Sequence, residues 1–336
     1  IYKYLDIRRF DLTEIIKYFD PRTYNVRRLR KIKFISSKFL LFHFPASIVF
    51  FGLLYLAIPS FYNYDKSSIE NVICKNQKVK CSIRGEISYR FYPTPRIKIK
   101  DVIINDFFEK KNTLITAEHA VIKLSIVNLL VKEKHKFKKI KLNNFEINFD
   151  LKNLKKYKNI FAKKIDLVPV TFAKGKIIFS DGKDYVATID DASIDLKFIQ
   201  DSIDAILKGK FLNDNIYINV NSKNVDNKVS TDIILKMSHM NFLTKAKLFN
   251  FEKDKNTTSG NFLIKKDKNK ITAVFDYKDN ELIINKSNLR NTFLDGELEG
   301  KITLLPYFNF NLDLNLNSIN FTKLYNYFLA LDEKKI

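Results

Sequence analysis

Residues 308–317 read FNFNLDLNLN, and this stretch indicates the fold most directly. Every second residue is apolar, and the residues between them are Asn or Asp. Successive side chains of a β-strand point to opposite faces of the sheet. The pattern therefore predicts a strand with one apolar face and one hydrated face.

The same alternation recurs earlier in the chain, between turn signals such as Asp181-Gly182 and Asp279-Asn280. It predicts a mainly β fold, a long antiparallel sheet of consecutive strands with one apolar face. The residues that we assign to this face as groove candidates are Ile97, Ile99, Phe145, Ile147, Phe149, Ile194, Leu196, Phe198, Ile216, Ile218, Phe308, Phe310, Leu312, Leu314 and Leu316.

Two segments have helical spacing instead. In residues 124–130, Ser125 is a candidate cap, and Ile126, Leu129 and Leu130 would share one face of a short helix. We expect this helix to close the end of the sheet near the membrane. A second helix is predicted over residues 321–331.

Residues 39–58, FLLFHFPASIVFFGLLYLAI, contain no Lys, Arg, Asp or Glu. A helix of this length measures about 30 Å, the thickness of the hydrocarbon core of a bilayer. The apolar part of a cleaved signal peptide is shorter, roughly 7–15 residues. Aromatic residues follow the run, as in the interfacial belt of a retained span. We therefore predict one transmembrane anchor rather than a signal peptide or a buried helix of a soluble domain.

Basic residues cluster close to the run on its N-terminal side, whereas the nearest charges on the other side are Asp65 and Lys66. Cationic flanks stay on the cytoplasmic side, so we expect residues 1–38 to be cytoplasmic and the chain after residue 62 to be exported. The juxtamembrane cations that we expect to contact anionic lipid head groups are Arg27, Arg28, Arg30, Lys31, Lys33 and Lys38.

The formal net charge of +22 would ordinarily raise the question of nucleic-acid binding. Residues 1–38 carry eleven Lys and Arg against four Asp and Glu, and the remaining excess is spread thinly among acidic residues. An exported domain rarely meets DNA. We therefore predict no nucleic-acid partner.

The sequence contains no recognisable catalytic motif. The four histidines are scattered without zinc-ligand spacing. The chain has 8 Gly and no Gly-rich phosphate-binding motif. We predict that the chain is not an enzyme and uses no metal or cofactor. Cys74 and Cys81 are the two cysteines, and the sequence leaves open a disulfide between them or two unpaired buried thiols.

An apolar sheet face must be covered. A second layer would make a closed β-domain. Alternatively, the sheet curls along its length into a groove that acyl chains fill in place of a core. The residue pattern alone leaves both possibilities open.

Several segments resemble the AsmA family of Gram-negative envelope proteins, in which an inner-membrane helix precedes a chorein-like start and a repeating β-groove. The order and spacing of the segments carry the resemblance. They are IRGEISY (83–89), YPTPRIKIKDV (92–102), ITAEHA (115–120), residues 124–130, residues 140–149, GKIIFSDG (175–182) and SINFTKLY (318–325).

The resemblance implies a single-pass inner-membrane protein with its bulk in the periplasm. Its expected function is phospholipid transport toward the outer membrane in support of outer-membrane biogenesis. The alternative is a tethered scaffold with a closed core that assists outer-membrane protein assembly.

The corresponding organisation is a basic arm (1–38), an anchor (39–62), a chorein-like start of the groove (63–160) and further groove repeats (161–336). We expect the chain to be part of a longer protein, because it does not begin with Met and lacks the C-terminal part of the family.

Overall fold

The computed structural model describes residues 39–74, 81–105, 112–153, 168–182, 184–199, 202–225, 228–251, 257–279, 281–303 and 309–332. Two compact units divide the chain, residues 1–59 and residues 60–336. The juxtamembrane cations of residues 27–38 and the groove candidate Phe308 lie outside the described residues.

The first unit contains an apolar helix. A π-helical turn (Phe39–His43) leads into α1 (Phe44–Ala57), and a 3₁₀ turn (Ile58–Phe61) follows. Pro45 lies in the first turn of α1, where a missing N–H breaks no helical hydrogen bond. Residues Leu41–Phe61 are long and apolar enough to cross a membrane, and the helix is unburied within the structure.

The second unit is a single curled, open sheet. Two helices flank its strands, α2 (Lys66–Cys74) and α3 (Phe321–Asp332). The strands described are β1 (Cys81–Ile83), β2 (Ile87–Arg90), β3 (Arg96–Asn105), β4 (Thr113–Leu124), β5 (Phe137–Asp150), β6 (Val170–Asp181), β7 (Asp184–Ile199), β8 (Ser202–Phe211), β9 (Asp214–Val225), β10 (Lys228–Met237), β11 (Phe242–Phe251), β12 (Thr258–Lys266), β13 (Asn269–Lys278), β14 (Glu281–Arg290), β15 (Leu294–Thr303) and β16 (Asn309–Ile319).

From β3 onward, each strand pairs with the next strand in the chain, while β1 and β2 both pair with β3. The prediction of a mainly β sheet of consecutive strands is confirmed. The prediction that every pair is antiparallel is wrong, because β5 and β6 are parallel. Residues 151–169 separate them, enough chain for the crossover that parallel neighbours require. Alternation within a strand carries no information about its direction.

The helix predicted over residues 124–130 is also wrong. Leu124 ends β4, residues 125–130 form a turn, and a 3₁₀ turn follows at Lys132–Lys134. Asn128 has φ of +66°, which is incompatible with a right-handed helix. Only Leu129 of the three expected core residues is buried. The second predicted helix is confirmed as α3.

The helix α2 lies against β1 at the first edge of the sheet. Ser68 N–H donates to Asp65 Oδ2 at the start of α2, and Ile83 N–H donates to Glu70 Oε1 at 2.7 Å. Ile69 is buried beneath the helix. Cys81, the first residue of β1, is disulfide-bonded, and the only other cysteine in the sequence is Cys74.

A line of backbone irregularities, which we call the crease, crosses β3 to β7. The residues with positive φ along it are Asp101, Asn144, Lys174 and Asp191. In each of the five strands, the apolar-face residues on either side of the line are three positions apart instead of two: Ile99 and Val102, Ala117 and Ala120, Leu142 and Phe145, Phe172 and Gly175, Ile189 and Ala192. In β3 to β6 the extra residue lies in the same row, so these strands stay in register with one another. In β7 it lies one row further along, because Gly175 pairs with Ala192 and Ile177 with Ile189. Extra residues of this kind bend a sheet.

Several of the most buried side chains flank the crease. They include Ile99 at 1% exposure, Ala120 at 1%, Phe145 at 2% and Ala192 at 0%. Gly175 is required there, because a Cβ would lie 2.2 Å from the carbonyl oxygen of Phe145. Phe145 and Phe172, on the two sides of the crease, are in ring contact, so the two halves of the apolar face bury each other here.

Candidate functional site

One unbroken row of directly paired residues crosses the sheet from β2 to β16. Paired residues on neighbouring strands project to the same face, so the row defines what we call the apolar face. It consists of Ile87, Ile99, Ala120, Leu142, Phe172, Ile194, Leu207, Ile218, Leu235, Thr244, Ile264, Ile271, Leu289, Gly296 and Leu316. Every member except Thr244 and Gly296 is apolar.

The described groove candidates all project to this face. Ile97 belongs to a second row beside the first one, and so does Leu196. Phe198 pairs with Ile203, and Phe310 pairs with Ile302, also on the apolar face. The structure thus brings together residues that are more than 200 positions apart in the sequence.

The sequence analysis missed part of the central row. Leu207, Leu235 and Leu289 were not assigned to a face, although each lies in it. In β8 the alternation is diluted by Ala and Gly, and in β14 a bulge between Ile284 and Leu289 changes the apolar spacing. Their place in the row follows from their pairing with the neighbouring strand, and the pattern within a single strand does not contain this pairing.

Exposure of the apolar face varies along the sheet and is greatest at the edge strand β16. Near its start, Ile97 and Ile99 are 0% and 1% exposed, as in a packed core. In β7, Leu196 and Phe198 are half-buried. In β16, Leu314 is 46% exposed and Phe310 is 61% exposed. Between these strands, Ile216 at 6%, Phe275 at 6% and Ile284 at 3% are buried on the same face. The face is therefore closed around the crease and again in β13 and β14, and it is exposed at the edge strand β16.

Aromatic side chains pack against one another on this face. The rings of Phe145 and Phe172 meet edge to face at 5.2 Å between centroids, and those of Phe149 and Phe179 stack at 6.0 Å. Such pairs contribute through dispersion and area burial and not through directional polar bonds. An apolar ligand on this face would meet the same kind of surface.

Asp214 holds the turn between β10 and β11. It accepts hydrogen bonds from the backbone N–H of His239 at 2.9 Å and of Met240 at 3.0 Å, and its Oδ1 also lies 2.9 Å from His239 Nδ1. Burial raises the pKa of Asp214, but these hydrogen bonds outweigh it, so the pKa lies below its usual value.

The remaining polar groups form no constellation that indicates chemistry. His119 lies on the hydrated face, while His135 faces the carbonyl oxygen of Leu129 at 3.2 Å. Within the described ranges, no group of three or more His, Cys, Asp and Glu could hold a metal ion. The predictions of no enzyme activity, no metal and no cofactor stay predictions.

Comparisons with family models, with curated proteins and with solved structures find no match to this chain. The resemblance to the AsmA family therefore depends on the residues quoted above, and the function is argued from the apolar face.

Proposed function

We propose that the chain carries phospholipid acyl chains along its apolar face, from the inner membrane toward the outer membrane, in support of outer-membrane biogenesis. The observation that carries this proposal is the continuous row of paired residues from Ile87 to Leu316, which are all apolar except Thr244 and Gly296. A packed β-domain needs an apolar face, but it needs no face that stays continuous over fifteen strands and ends exposed.

The dimensions support a carrier of chains rather than a pocket for one molecule. At about 4.8 Å between neighbouring strands, the path from β1 to β16 has a contour of roughly 70 Å. One leaflet of a bilayer contributes roughly 15 Å of hydrocarbon, half of the apolar core. The face is therefore several acyl chains long, and a bound chain would have to move along it.

The physics of the face permits such movement. Each buried methylene gains about 0.8 kcal/mol, so an acyl chain is held strongly in total. No directional bond fixes its position along the row, because the row consists almost entirely of hydrocarbon side chains. The head group would stay in water at the open side of the sheet.

We place the anchor in the inner membrane as a single span, with residues 1–38 cytoplasmic and the sheet in the periplasm. The charge asymmetry of the flanks supports this orientation. In this arrangement the start of the sheet follows directly from the span, and an acyl chain would leave the bilayer near the first strands. The partners implied are phospholipids and the inner membrane.

The alternative is a tethered scaffold that binds other envelope proteins, and one observation favours it. β16 is eleven residues long, carries a single charge at Asp313 and contains no Lys or Pro. Among the described residues, no strand pairs with its outer side. Natural sheets usually protect such an edge, so an added strand from a partner would fit it.

Photocrosslinking tests the proposal. A benzophenone amino acid replaces Phe198 or Phe310 on the apolar face, and Tyr217 on the hydrated face is the matched control. In cells with labelled phospholipid, we expect labelled adducts at Phe198 and Phe310 but not at Tyr217. Equal labelling at all three positions, or protein adducts alone at Phe310, would refute lipid carriage; the second result would favour the scaffold.

Native mass spectrometry of the gently solubilised chain gives an independent check. A carrier should retain phospholipid, and repeated preparations free of lipid would count against it.

A further inference from the structure

Two neighbouring turns expose apolar side chains at one end of the sheet. The β2–β3 turn exposes Tyr92 at 78%, and the β4–β5 turn exposes Ile126 at 56%, Val127 at 62% and Leu130 at 55%. The turns lie side by side, because Leu124 N–H donates to the carbonyl oxygen of Pro95 at 2.9 Å. Exposed apolar residues gathered in this way mark a contact surface.

The chain leaves the candidate span at this same place. Phe61 is the last residue of the span, and Tyr62 and Asn63 follow directly. The hydroxyl of Tyr62 donates to the carbonyl oxygen of Leu130 at 2.5 Å, and Lys132 Nζ donates to the carbonyl oxygen of Asn63 at 2.5 Å. The β4–β5 turn is thus bound to the two residues that emerge from the span.

A row of four cations crosses the ends of the strands that carry these turns. Arg90 pairs directly with Arg96, Arg96 with Lys123, and Lys123 with Lys139. Like charges directly opposite each other on neighbouring strands destabilise a sheet. None of the four forms an ion pair with a described residue.

The surroundings strengthen this positive charge. Residues 90–98 and 121–141 contain ten Lys and Arg but one acidic residue, Glu133. Repulsion from Arg90, together with burial and with repulsion from Arg96, lowers the pKa of Lys98. The fold thus concentrates uncompensated cations beside an exposed apolar tip.

We infer that the β2–β3 turn, the β4–β5 turn and the cation row form a membrane-docking surface, seated on the anionic phospholipid head groups of the bilayer that holds the span. Ile126, Val127 and Leu130 enter the head-group region, and the cations meet lipid phosphates. Apolar insertion beside basic residues is the combination that peripheral membrane contacts use. The inference rests on the proposed anchoring but not on lipid carriage.

The chain contains no tryptophan, so V127W introduces a single fluorescent reporter at the tip. The matched control is Y185W, which is exposed at the opposite ends of the strands. Both full-length variants are reconstituted into vesicles with brominated acyl chains and a graded content of phosphatidylglycerol. We expect lipid bromine to quench V127W increasingly as the anionic content rises, and to leave Y185W unquenched.

Charge variants separate docking by cations from apolar insertion alone. Arg90→Gln with Lys123→Gln, added to V127W, should weaken docking by roughly thirtyfold, because each cation near an anionic surface contributes about 1 kcal/mol of attraction. The anionic content needed for half-maximal quenching then rises. Lys236→Gln with Lys301→Gln removes the same charge from exposed positions elsewhere and should leave the quenching curve in place.

Three results would overturn the inference: no quenching of V127W, equal quenching of V127W and Y185W, or quenching that is independent of anionic lipid. A blue shift of V127W without bromine quenching would assign the tip to a protein contact and would also overturn it. Carbonate extraction and flotation test the span separately. A chain that carbonate strips from the vesicles refutes the anchoring, whereas a chain that floats without tip quenching refutes docking only.

Discussion

Replacing Leu314 by Asp tests whether the far end of the apolar face is open. Full burial of a leucine side chain is worth about 1.5–3 kcal/mol relative to exposure. Leu314 keeps 46% of its surface exposed, so about half of that value, roughly 1 kcal/mol, depends on this side chain. The introduced carboxylate remains hydrated and adds little desolvation cost. We therefore expect L314D to fold and to lose about 1 kcal/mol of unfolding free energy.

Ile99 gives the contrasting case. It is 1% exposed beside the crease, where I99A should cost about 2–5 kcal/mol, because it removes buried methyl groups and leaves a cavity. Urea unfolding followed by far-UV circular dichroism measures both variants under the same solution conditions. If L314D destabilises the chain as strongly as I99A does, the face is packed at both ends and the open-groove reasoning fails.

Val274 supplies the matched control for the lipid measurement. Val274 pairs with Asn261 of β12 and therefore lies on the hydrated face. Its exposed fraction is 50%, similar to that of Leu314. L314D should abolish the lipid adduct at position 310, whereas V274D should preserve it at a similar stability. Equal loss in both variants would indicate a general effect on the fold and not a block in the groove.

Three further predictions concern stability. Gly175→Ala should cost about 1–3 kcal/mol or more in urea unfolding, because the new Cβ meets the backbone oxygen of Phe145; a neutral effect would contradict the close packing at the crease. Asn320→Ala should cost about 0.5–2 kcal/mol, because it removes the side-chain cap of α3, and the matched Asn→Asp variant should retain stability. The lowered pKa of Asp214 contributes stability that is present above its unfolded value, about 3.9, and lost as pH falls through the folded value. The urea concentration at the midpoint of unfolding should therefore decrease when the pH is lowered below about 4. D214N should make this decrease smaller. Equal pH dependence of D214N and the parent chain would contradict the assignment.

The strands were predictable because their information is local. Alternation in residues 308–317 or 145–149 arises within a few positions, and each such pattern fixes which residues share a face. The register of one strand on the next is not local, so the parallel pair of β5 and β6 had no signal in either strand. The crease could not be predicted from the sequence for a related reason. One extra residue between Ile99 and Val102 looks like the end of a strand, although in the structure it continues a bend that five strands share.

The failed helix at residues 124–130 shows where periodicity is insufficient. The spacing of its apolar residues fits one face of a helix. It fits equally well a turn that buries Leu129 and exposes Ile126 and Leu130. Hydrogen bonds decide between these: Ser125 N–H donates to the carbonyl oxygen of Lys136 and closes the turn at 2.8 Å. For the same reason the sequence could predict the members of the apolar face but not the row in which they meet.

The crease explains how one face provides both a core and an open surface. Where the crease crosses β3 to β7, the two halves of the face bury each other, and the free energy gained there stabilises the sheet. Beyond β8 this line of irregularities ends. Ile216, Phe275 and Ile284 are still buried on the apolar face, and the face is most exposed at the edge strand β16. Ile99 and Leu314 thus lie on the same face but differ in burial, at 1% and 46% exposure. Substitutions at Ile99 should therefore act on folding, whereas substitutions at Leu314 should act on what the face binds.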